Sequence, residues 1–402
     1  MAGFSVCPND SQLYSISGPD GQFLAAVKTV DNFMIASNSS ALTEYLYEAV
    51  RSAGYTPILQ EAKDKFVGSQ ITRLTDGTIL VHQEYHARHL MRKYGIKEDV
   101  PTPLSSTYTG ENYAMSKLSP AIPIKQYQAI LGDVTWMTLT RLDILHPISV
   151  LSQKTHYCTQ RDYDEVLHVL KYILRNLGKP LIYHRAPLGQ RPASMLDMLH
   201  MPIFLMASSD SAHRTAGPSE KPRDQAATIF TVFTPKNAAI FASSKVAGPI
   251  TSSCQAENNS YLLTLIELID TYFILNWLGF TNISQMILEG DNTSNNSLCT
   301  STSGNARKKS RHFIGNAHYI KQFHDAHLLR IIHTSASNLV SNALTKRVTE
   351  EEQMWSSEDT RGSLRRYSEV DRLQHIPIMR SDHLSMWPVI KCSAAADYDI
   401  KR

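Results

Sequence analysis

The sequence lacks several features that would place it directly in a class of proteins. Its 402 residues include only five cysteines, and no two of them show the two-residue spacing of a zinc or redox motif. We therefore expect reduced cysteines with structural roles. No apolar run reaches the length of a membrane span, because the best candidate, residues 261–280, contains Glu267 and Asp270. That segment is predicted to be a buried helix.

The N-terminus also lacks a basic segment followed by an apolar block, so we expect no secretion and a cytoplasmic location. The net charge of +3 is too small to indicate nucleic-acid binding by itself. One basic cluster is dense and is interpreted either as a nucleic-acid contact or as a solvated loop; it comprises Arg307, Lys308, Lys309 and Arg311.

What the sequence does contain is a balance of 42% hydrophobic and 19% charged residues, which is typical of a globular protein with sizeable cores. Apolar patches over residues 13–37 predict a small antiparallel sheet, with Asp31 at the bend of a hairpin. Asp76-Gly77 predicts a second hairpin through a type I′ turn. A helix is predicted over residues 84–94, ended by Gly95, and helical periodicity continues over residues 125–178.

From about residue 203 the pattern changes to apolar strands interrupted by one long helix. The order strand, strand, strand, helix, strand, helix predicts an α+β domain with a mixed sheet. Beyond Lys346 the chain is charged and shows no pattern that we can assign to a core.

Three acids lie at the ends of these predicted elements. Asp210 and Asp291 end apolar strands, and Glu257 lies near the start of the long helix. Strand ends and an overlying helix can meet at one edge of a sheet, where a carboxylate cluster would bind Mg²⁺ or Mn²⁺. Two such ions would suit phosphodiester cleavage. The alternative is that the three acids are separate, solvated loop residues.

The order of the motifs resembles the C-terminal part of a copia-type (Pseudoviridae-like) retrotransposon Pol polyprotein. The reverse-transcriptase part is similar in GFSVCPND, LAAVKTVDNFMIASNS, FVGSQITRLTDGTILVHQEYHARHLMRKYGI, YQAILGDVTWMTLTRLDILHPISVLSQ and THYCTQRDYDEVLHVLKYI. The ribonuclease H (RNase H) part is similar in SSDSAH, SSCQAENNSY, LEGDNTS, SRHFIGNAHYI and SNALTK. The likeness covers about residues 1–346.

This resemblance implies an α+β chain in which a partial palm, thumb and connection precede an RNase H-like mixed-sheet domain. The implied boundaries are a truncated palm over 1–60, a thumb-like hairpin, helix and linker over 61–115, a helical connection region over 116–200, an RNase H-like domain over 201–346 and an irregular tail over 347–402.

The polymerase hairpin of the family carries two adjacent aspartates, which correspond to Asp31 and Asn32 here. The third polymerase aspartate lies upstream of anything in this chain. A neutral amide brings no charge to hold divalent ions, so we expect polymerase activity to be lost and these two residues to be its remnant.

In the RNase H part the resemblance assigns catalytic and metal-binding roles to Asp210, Glu257 and Asp291, with Mg²⁺ or Mn²⁺ as cofactor. The fourth acid of the family falls at Asn342, which would weaken binding of a second ion. His318 corresponds to a family histidine that could shuttle a proton during product release. Its alternative role is that of a histidine in a basic, substrate-facing segment.

The function implied is impaired, metal-dependent cleavage of RNA–DNA hybrids, and the alternative is an inactive retroelement remnant that only binds nucleic acid or has no selected function. A complete Pol polyprotein is a second expected partner, and the nucleus or a virus-like particle is an alternative location. Besides the cluster at 307–311, the predicted nucleic-acid contacts are Arg88, Arg92 and Lys93.

Three histidines offer one further alternative. His82, His86 and His89 have helical spacing that could form a metal face, but His82 falls in a predicted strand and no fourth ligand is evident.

Overall fold

The computed structural model describes residues 3–60, 65–108, 110, 122–184, 203, 205–212, 224–232, 239–247, 250, 252–283, 285–301, 313–345 and 389–394. Among the helices in these ranges, none combines the length and apolarity needed to cross a bilayer. The predicted α+β class is confirmed.

The N-terminal unit is a six-stranded antiparallel sheet with one helix packed against it. Its strands are β1 (Ser5–Val6), β2 (Leu13–Ser17), β3 (Phe23–Thr29), β4 (Asn32–Ser37), β5 (Tyr55–Gln60) and the strand Val389–Ala394. That last strand lies between β4 and β5, where the sequence predicted an irregular tail. The Ser39 side chain caps α1 (Ser40–Ser52), whose Leu46 and Val50 pack on the sheet residues Leu24 and Phe33.

A four-stranded antiparallel sheet follows, formed by β6 (Lys65–Phe66), β7 (Ser69–Arg73), β8 (Ile79–His82) and β9 (Leu181–Tyr183). The hairpin at Asp76-Gly77 is confirmed, but its type I′ turn is wrong. Only Gly77 has a positive φ, of 89°, and five residues separate the paired Arg73 and Ile79. Asp76 instead accepts a hydrogen bond from the Thr78 amide, which stabilises the longer turn.

A helical unit is inserted between β8 and β9 of this sheet. It contains α2 (Glu84–Lys93), α3 (Ile124–Thr135), α4 (Leu145–Ser152) and α5 (Gln160–Arg175), with 3-10 helices at Trp136–Leu139 and Leu142–Ile144. Gly95 follows α2 with a φ of 65°, as predicted. Thr159 and Asp162 form a capping box that begins α5, and apolar side chains spaced at helical intervals fill the shared core.

The C-terminal domain is built on a five-stranded mixed sheet. Its strands are β10 (Leu205–Ala212), β11 (Asp224–Val232), β12 (Phe241–Ala247), β13 (Met286–Gly290) and β14 (Leu329–His333), in the order β12-β11-β10-β13-β14. β10 is antiparallel to β11 and parallel to β13, which is itself parallel to β14. This is the RNase H-like mixed sheet that the sequence predicted.

Within the described residues, the domain also contains three helices and one short 3-10 helix. They are α6 (Ser253–Trp277), α7 (Thr293–Thr300), α8 (Ile314–Asp325) and the 3-10 helix Val340–Leu344, which we call the 340–344 turn. Tyr261 and Leu265 of α6 pack on Leu205 and Ala207 of β10 in the main core. The central strands are therefore covered and rigidly placed.

Candidate metal centre

The topology of the C-terminal sheet brings two acids to one edge. β10 and β13 run parallel with Ser208 beside Glu289, so that Asp210 and Asp291 lie near the same ends of adjacent strands. Ser252 caps the N-terminus of α6 by accepting a hydrogen bond from the Gln255 amide. This start point places Glu257 in the second turn of α6, above the same edge.

The structure brings Asp210, Glu257 and Asp291 together, and we call them the acid trio. One carboxylate oxygen of each lies within 4.8 Å of the others. Asp210 is 2% exposed and Glu257 5% exposed, whereas Asp291 is half-buried and opens the cluster to solvent. The catalytic and metal-binding roles of these three residues stay predictions.

Glu257 is the electrostatically strained member of the trio. Burial, followed by the charges of Asp210 and Asp291, raises the pKa of Glu257 to about 9. The Ser211 amide donates a 3.3 Å hydrogen bond to its Oε1, which offsets part of this shift. Its Oε2 is buried and has no hydrogen-bond partner among the described residues. The metal-free trio therefore retains a proton at neutral pH.

The 340–344 turn closes the other side of Asp210. The Ser341 amide donates to Ser208 Oγ at 3.2 Å, and the two serine hydroxyls lie 2.8 Å apart. The Thr345 hydroxyl donates to Asp210 Oδ2. These contacts were not predicted from the sequence, because the strand and the turn are more than 130 residues apart.

Asn342, which the family resemblance predicts to replace a fourth acid, lies within this turn. The backbone carbonyl oxygen of Asn342 is 3.0 Å from the Thr345 hydroxyl, which also contacts Asp210. Its amide Oδ1 is buried and has no partner among the described residues. The turn thus holds the backbone of Asn342 beside the hydroxyl that contacts Asp210, and it leaves a buried side-chain oxygen unsatisfied among the described residues.

The donor set fits a hard divalent cation. All its candidate ligand atoms are oxygens, three of them from carboxylates, which is the chemistry that Mg²⁺ and Mn²⁺ prefer. Ligand oxygens around a Mg²⁺ ion at about 2.1 Å lie up to roughly 4.2 Å apart, close to the spacing within the trio. A cation would also remove the repulsion that raises the pKa of Glu257.

The remaining predicted site residues lie elsewhere. His318 is on the exposed side of α8 and is not part of the trio. The basic cluster at 307–311 falls outside the described residues. Asp31 is at the exposed tip of the β3–β4 hairpin, where it accepts a 2.8 Å hydrogen bond from the Asn32 amide. The bend predicted at Asp31 is confirmed by the pairing of Thr29 with Asn32.

The predicted nucleic-acid contacts of α2 are all exposed. Arg88 forms a 2.6 Å ion pair with Glu84, and Lys93 a 2.5 Å ion pair with Asp133. The Arg92 Nε lies 3.4 Å from the Arg88 carbonyl.

The alternative of a histidine metal face is not supported. Across the described ranges, the acid trio is the only group of three or more His, Cys, Asp or Glu residues arranged to hold a metal. His86 instead contacts the Asp133 carbonyl at 3.2 Å through Nε2.

Sequence comparison connects this geometry to known proteins. The chain is 23% identical over 319 residues to the retrovirus-related Pol polyprotein from transposon RE2 of Arabidopsis thaliana. It is 25% identical over 319 residues to the corresponding polyprotein from transposon RE1. This chain is a homologue of copia-type Pol polyproteins. The alignments cover 79% of this chain but only 20% of each polyprotein. No family model matches this chain.

Solved structures that resemble parts of this chain include two ribonucleases and a retroviral enzyme. RNase H1 from Halobacterium salinarum is 14% identical and covers 35% of this chain and 94% of its own, with a TM-score of 0.25. The prototype foamy virus protease-reverse transcriptase is 13% identical and covers 40% of this chain and 21% of its own, with a TM-score of 0.24.

Proposed function

We propose that this Pol homologue is a fragment of a reverse transcriptase and RNase H whose C-terminal domain cleaves the RNA strand of RNA–DNA hybrids with impaired, metal-dependent activity. The observation that carries the proposal is the convergence of three carboxylates, two buried and one half-buried, whose mutual repulsion a proton or a cation would relieve. An acid cluster with no ligand would be expected to be solvated rather than buried.

Divalent cations bound here would polarise the scissile phosphate, activate a water and stabilise the leaving oxygen. Asp210, Glu257 and Asp291 would hold them. Glu257 releases its proton as the site is filled, and the Thr345 hydroxyl fixes the orientation of the Asp210 carboxylate. The half-buried Asp291 leaves one side of the site open to a phosphodiester backbone.

The activity is impaired because Asn342 supplies an amide oxygen where a fourth carboxylate would add a negative charge. One cation can still be held by three acids, but a second is held more weakly. Mn²⁺ should therefore support more cleavage than Mg²⁺, since it binds such sites more tightly. Polymerase activity is lost, because the hairpin tip retains only Asp31 beside the neutral Asn32.

The test is a cleavage assay on a labelled RNA–DNA hybrid in Mg²⁺ and in Mn²⁺. We expect slow cleavage, faster with Mn²⁺, which is abolished by Asp210→Asn and by Glu257→Gln. Glu267→Gln is the matched control, because it makes the same change ten residues further along α6 and should leave the rate unchanged. Failure of both cations to support cleavage would disprove the proposal.

A second candidate function is favoured by the two asparagines at positions 32 and 342. In that case the chain is an inactive remnant that binds nucleic acid through its exposed basic residues, alone or beside a complete Pol polyprotein. Hybrid binding that weakens steeply with salt, without turnover in either cation, would support this function over the first.

A further inference from the structure

A second candidate ligand site lies between α2, the 3-10 helix after α3 and the β6–β7 turn. Its residues are distant in sequence from those of the acid trio. It is an open pocket of about 350 Å³, lined by Gly68, Tyr85, His86, His89, Arg92 and Trp136. We call it the aromatic pocket. Its volume is at the lower end of the range of small-ligand sites, roughly 300–1,000 Å³, and is large enough for one nucleotide.

Two aromatic side chains that line the pocket are exposed to solvent. Trp136 is 44% and Tyr85 is 57% exposed. Grouped in one pocket, the two rings offer an apolar surface on which a planar ligand group can stack.

Trp136 is nevertheless held firmly in place. Gly68 packs so closely on its indole that an added Cβ would lie 2.6 Å from Nε1, and Gly68 also has a φ of +74°. The buried Gln83 donates a 3.0 Å hydrogen bond to the Trp136 carbonyl and accepts one from Thr140. The indole is thus a fixed platform, and little entropy is lost when a planar ring stacks on it.

The charges around the pocket favour an anion. The two nearby acids are neutralised, since Glu84 pairs with Arg88 and Asp133 with Lys93. Arg92 has no ion-pair partner among the residues that the structure describes, and its only described contact is the 3.4 Å one to a carbonyl. His86 and His89 also line the pocket and add ring nitrogens that can form hydrogen bonds.

An exposed aromatic platform beside an unpaired arginine matches the two parts of a nucleotide, a planar base and a phosphate. We propose that the aromatic pocket binds an unpaired nucleotide of single-stranded nucleic acid, with the base stacked on Trp136 and a backbone phosphate on Arg92. A base within a duplex is already stacked on both faces, so the pocket prefers single strands.

The test is fluorescence anisotropy of the full chain with a labelled oligothymidylate of about 12 nucleotides, within the ~4–16 nucleotides that single-strand sites occupy. EDTA is present, so that binding is measured whether or not the acid trio is active. Trp136→Ala should weaken binding roughly tenfold, and Trp136→Phe much less. An oligouridylate tested in parallel shows whether DNA and RNA are both bound.

Arg92→Gln tests the phosphate contact without touching the core, and should lower the slope of log affinity against log salt by about 0.7. Lys125→Gln is the matched control, because Lys125 lies at the opposite end of α3, about 16 Å from Trp136 at 1.5 Å per residue. The proposal would be overturned if wild type and Trp136→Ala bound oligothymidylate with equal affinity. It would also be overturned if the wild type bound a strand of abasic residues as tightly as it binds oligothymidylate.

Discussion

At the scale of single residues, the proton on Glu257 determines how the candidate metal centre responds to pH. The folded pKa of about 9 exceeds the ordinary value of 4.5. Between these values the folded chain keeps a proton that the unfolded chain releases, so stability is highest below pH 4.5 and falls as the pH rises towards 9. The free energy of unfolding should decrease by at most about 1.4 kcal/mol per pH unit.

We therefore expect thermal unfolding in EDTA to occur at a lower temperature at pH 8.5 than at pH 5.5, and Glu257→Gln to reduce this difference. Glu289, whose pKa burial raises to about 7, acts in the same direction, so the wild type must be compared with the variant at each pH. Parallel pH profiles of the two proteins would show that Glu257 is ionised in the folded chain.

Asn342 supports a second prediction at the same scale. Asn342→Asp adds a carboxylate near a trio that already repels itself, so the metal-free chain should unfold at a lower temperature. With Mn²⁺ or Mg²⁺ the same variant should gain at least about tenfold in hybrid cleavage, equivalent to roughly 1.4 kcal/mol of transition-state stabilisation.

Asn338→Asp makes the same substitution in the exposed segment just before the 340–344 turn and is the control for charge alone. A stability loss in both variants, or a loss for Asn342→Asp that metal does not reverse, would place residue 342 outside the metal centre.

At the scale of elements, Thr345, which directly follows the 340–344 turn, connects that turn to Asp210 through its hydroxyl. Thr345→Val removes the donor to Asp210 Oδ2 while keeping the side-chain shape. Because the carboxylate is buried, we expect unfolding free energy to fall by about 1–3 kcal/mol and metal affinity to fall with it. Thr345→Ser keeps the hydroxyl, so it should lose much less unfolding free energy and much less metal affinity. Calorimetric titration with Mn²⁺ and thermal unfolding measure the two effects.

The end of β13 depends on a close contact with α6. A Cβ on Gly290 would lie 1.9 Å from Tyr261 Oη, so Gly290→Ala must displace either the ring or the strand that leads into Asp291. We expect a loss of about 1–3 kcal/mol from overpacking.

Tyr261→Phe removes the nearest clashing atom and should recover part of that loss in the double variant, although the ring carbon beside it still lies within 3.0 Å of the new Cβ. If the stability losses of Gly290→Ala and Tyr261→Phe simply add in the double variant, the side chains at positions 290 and 261 are not in contact.

The acid trio and the contacts between distant elements show what the sequence could and could not predict. The apolar runs that lead to Asp210 and Asp291 were recognisable from their pattern, as was the long helix carrying Glu257, and their order predicted a mixed sheet. The strand β10 continues past Asp210 to Ala212. The contacts of Thr345 with Asp210 and of Gly68 with Trp136 join residues far apart in the chain. No local periodicity encodes such pairs, so only the folded chain reveals them.

At the scale of the whole molecule, the C-terminal sheet does not form a closed core by itself. A separate apolar cluster joins Ala227 and Ile229 of β11 to Leu142 and Leu181 of the helical unit and its sheet. The main core of the domain also includes Phe23 of the N-terminal sheet. Each neighbouring unit thus covers part of the apolar surface of the C-terminal domain.

A fragment spanning residues 201–346 should therefore expose apolar surface that the full chain buries. We expect this fragment to bind a hydrophobic dye and to unfold at a lower temperature than the full chain. A longer fragment of residues 116–346 should recover much of the lost unfolding temperature, since it restores Leu142 and Leu181. Leu142→Ala in the full chain should cost about 2–5 kcal/mol through the cavity it leaves. A fragment 201–346 that binds no dye and melts as cooperatively as the full chain would show instead that the ribonuclease-like sheet is an independent folding unit, and that the cluster across the units contributes little to its stability.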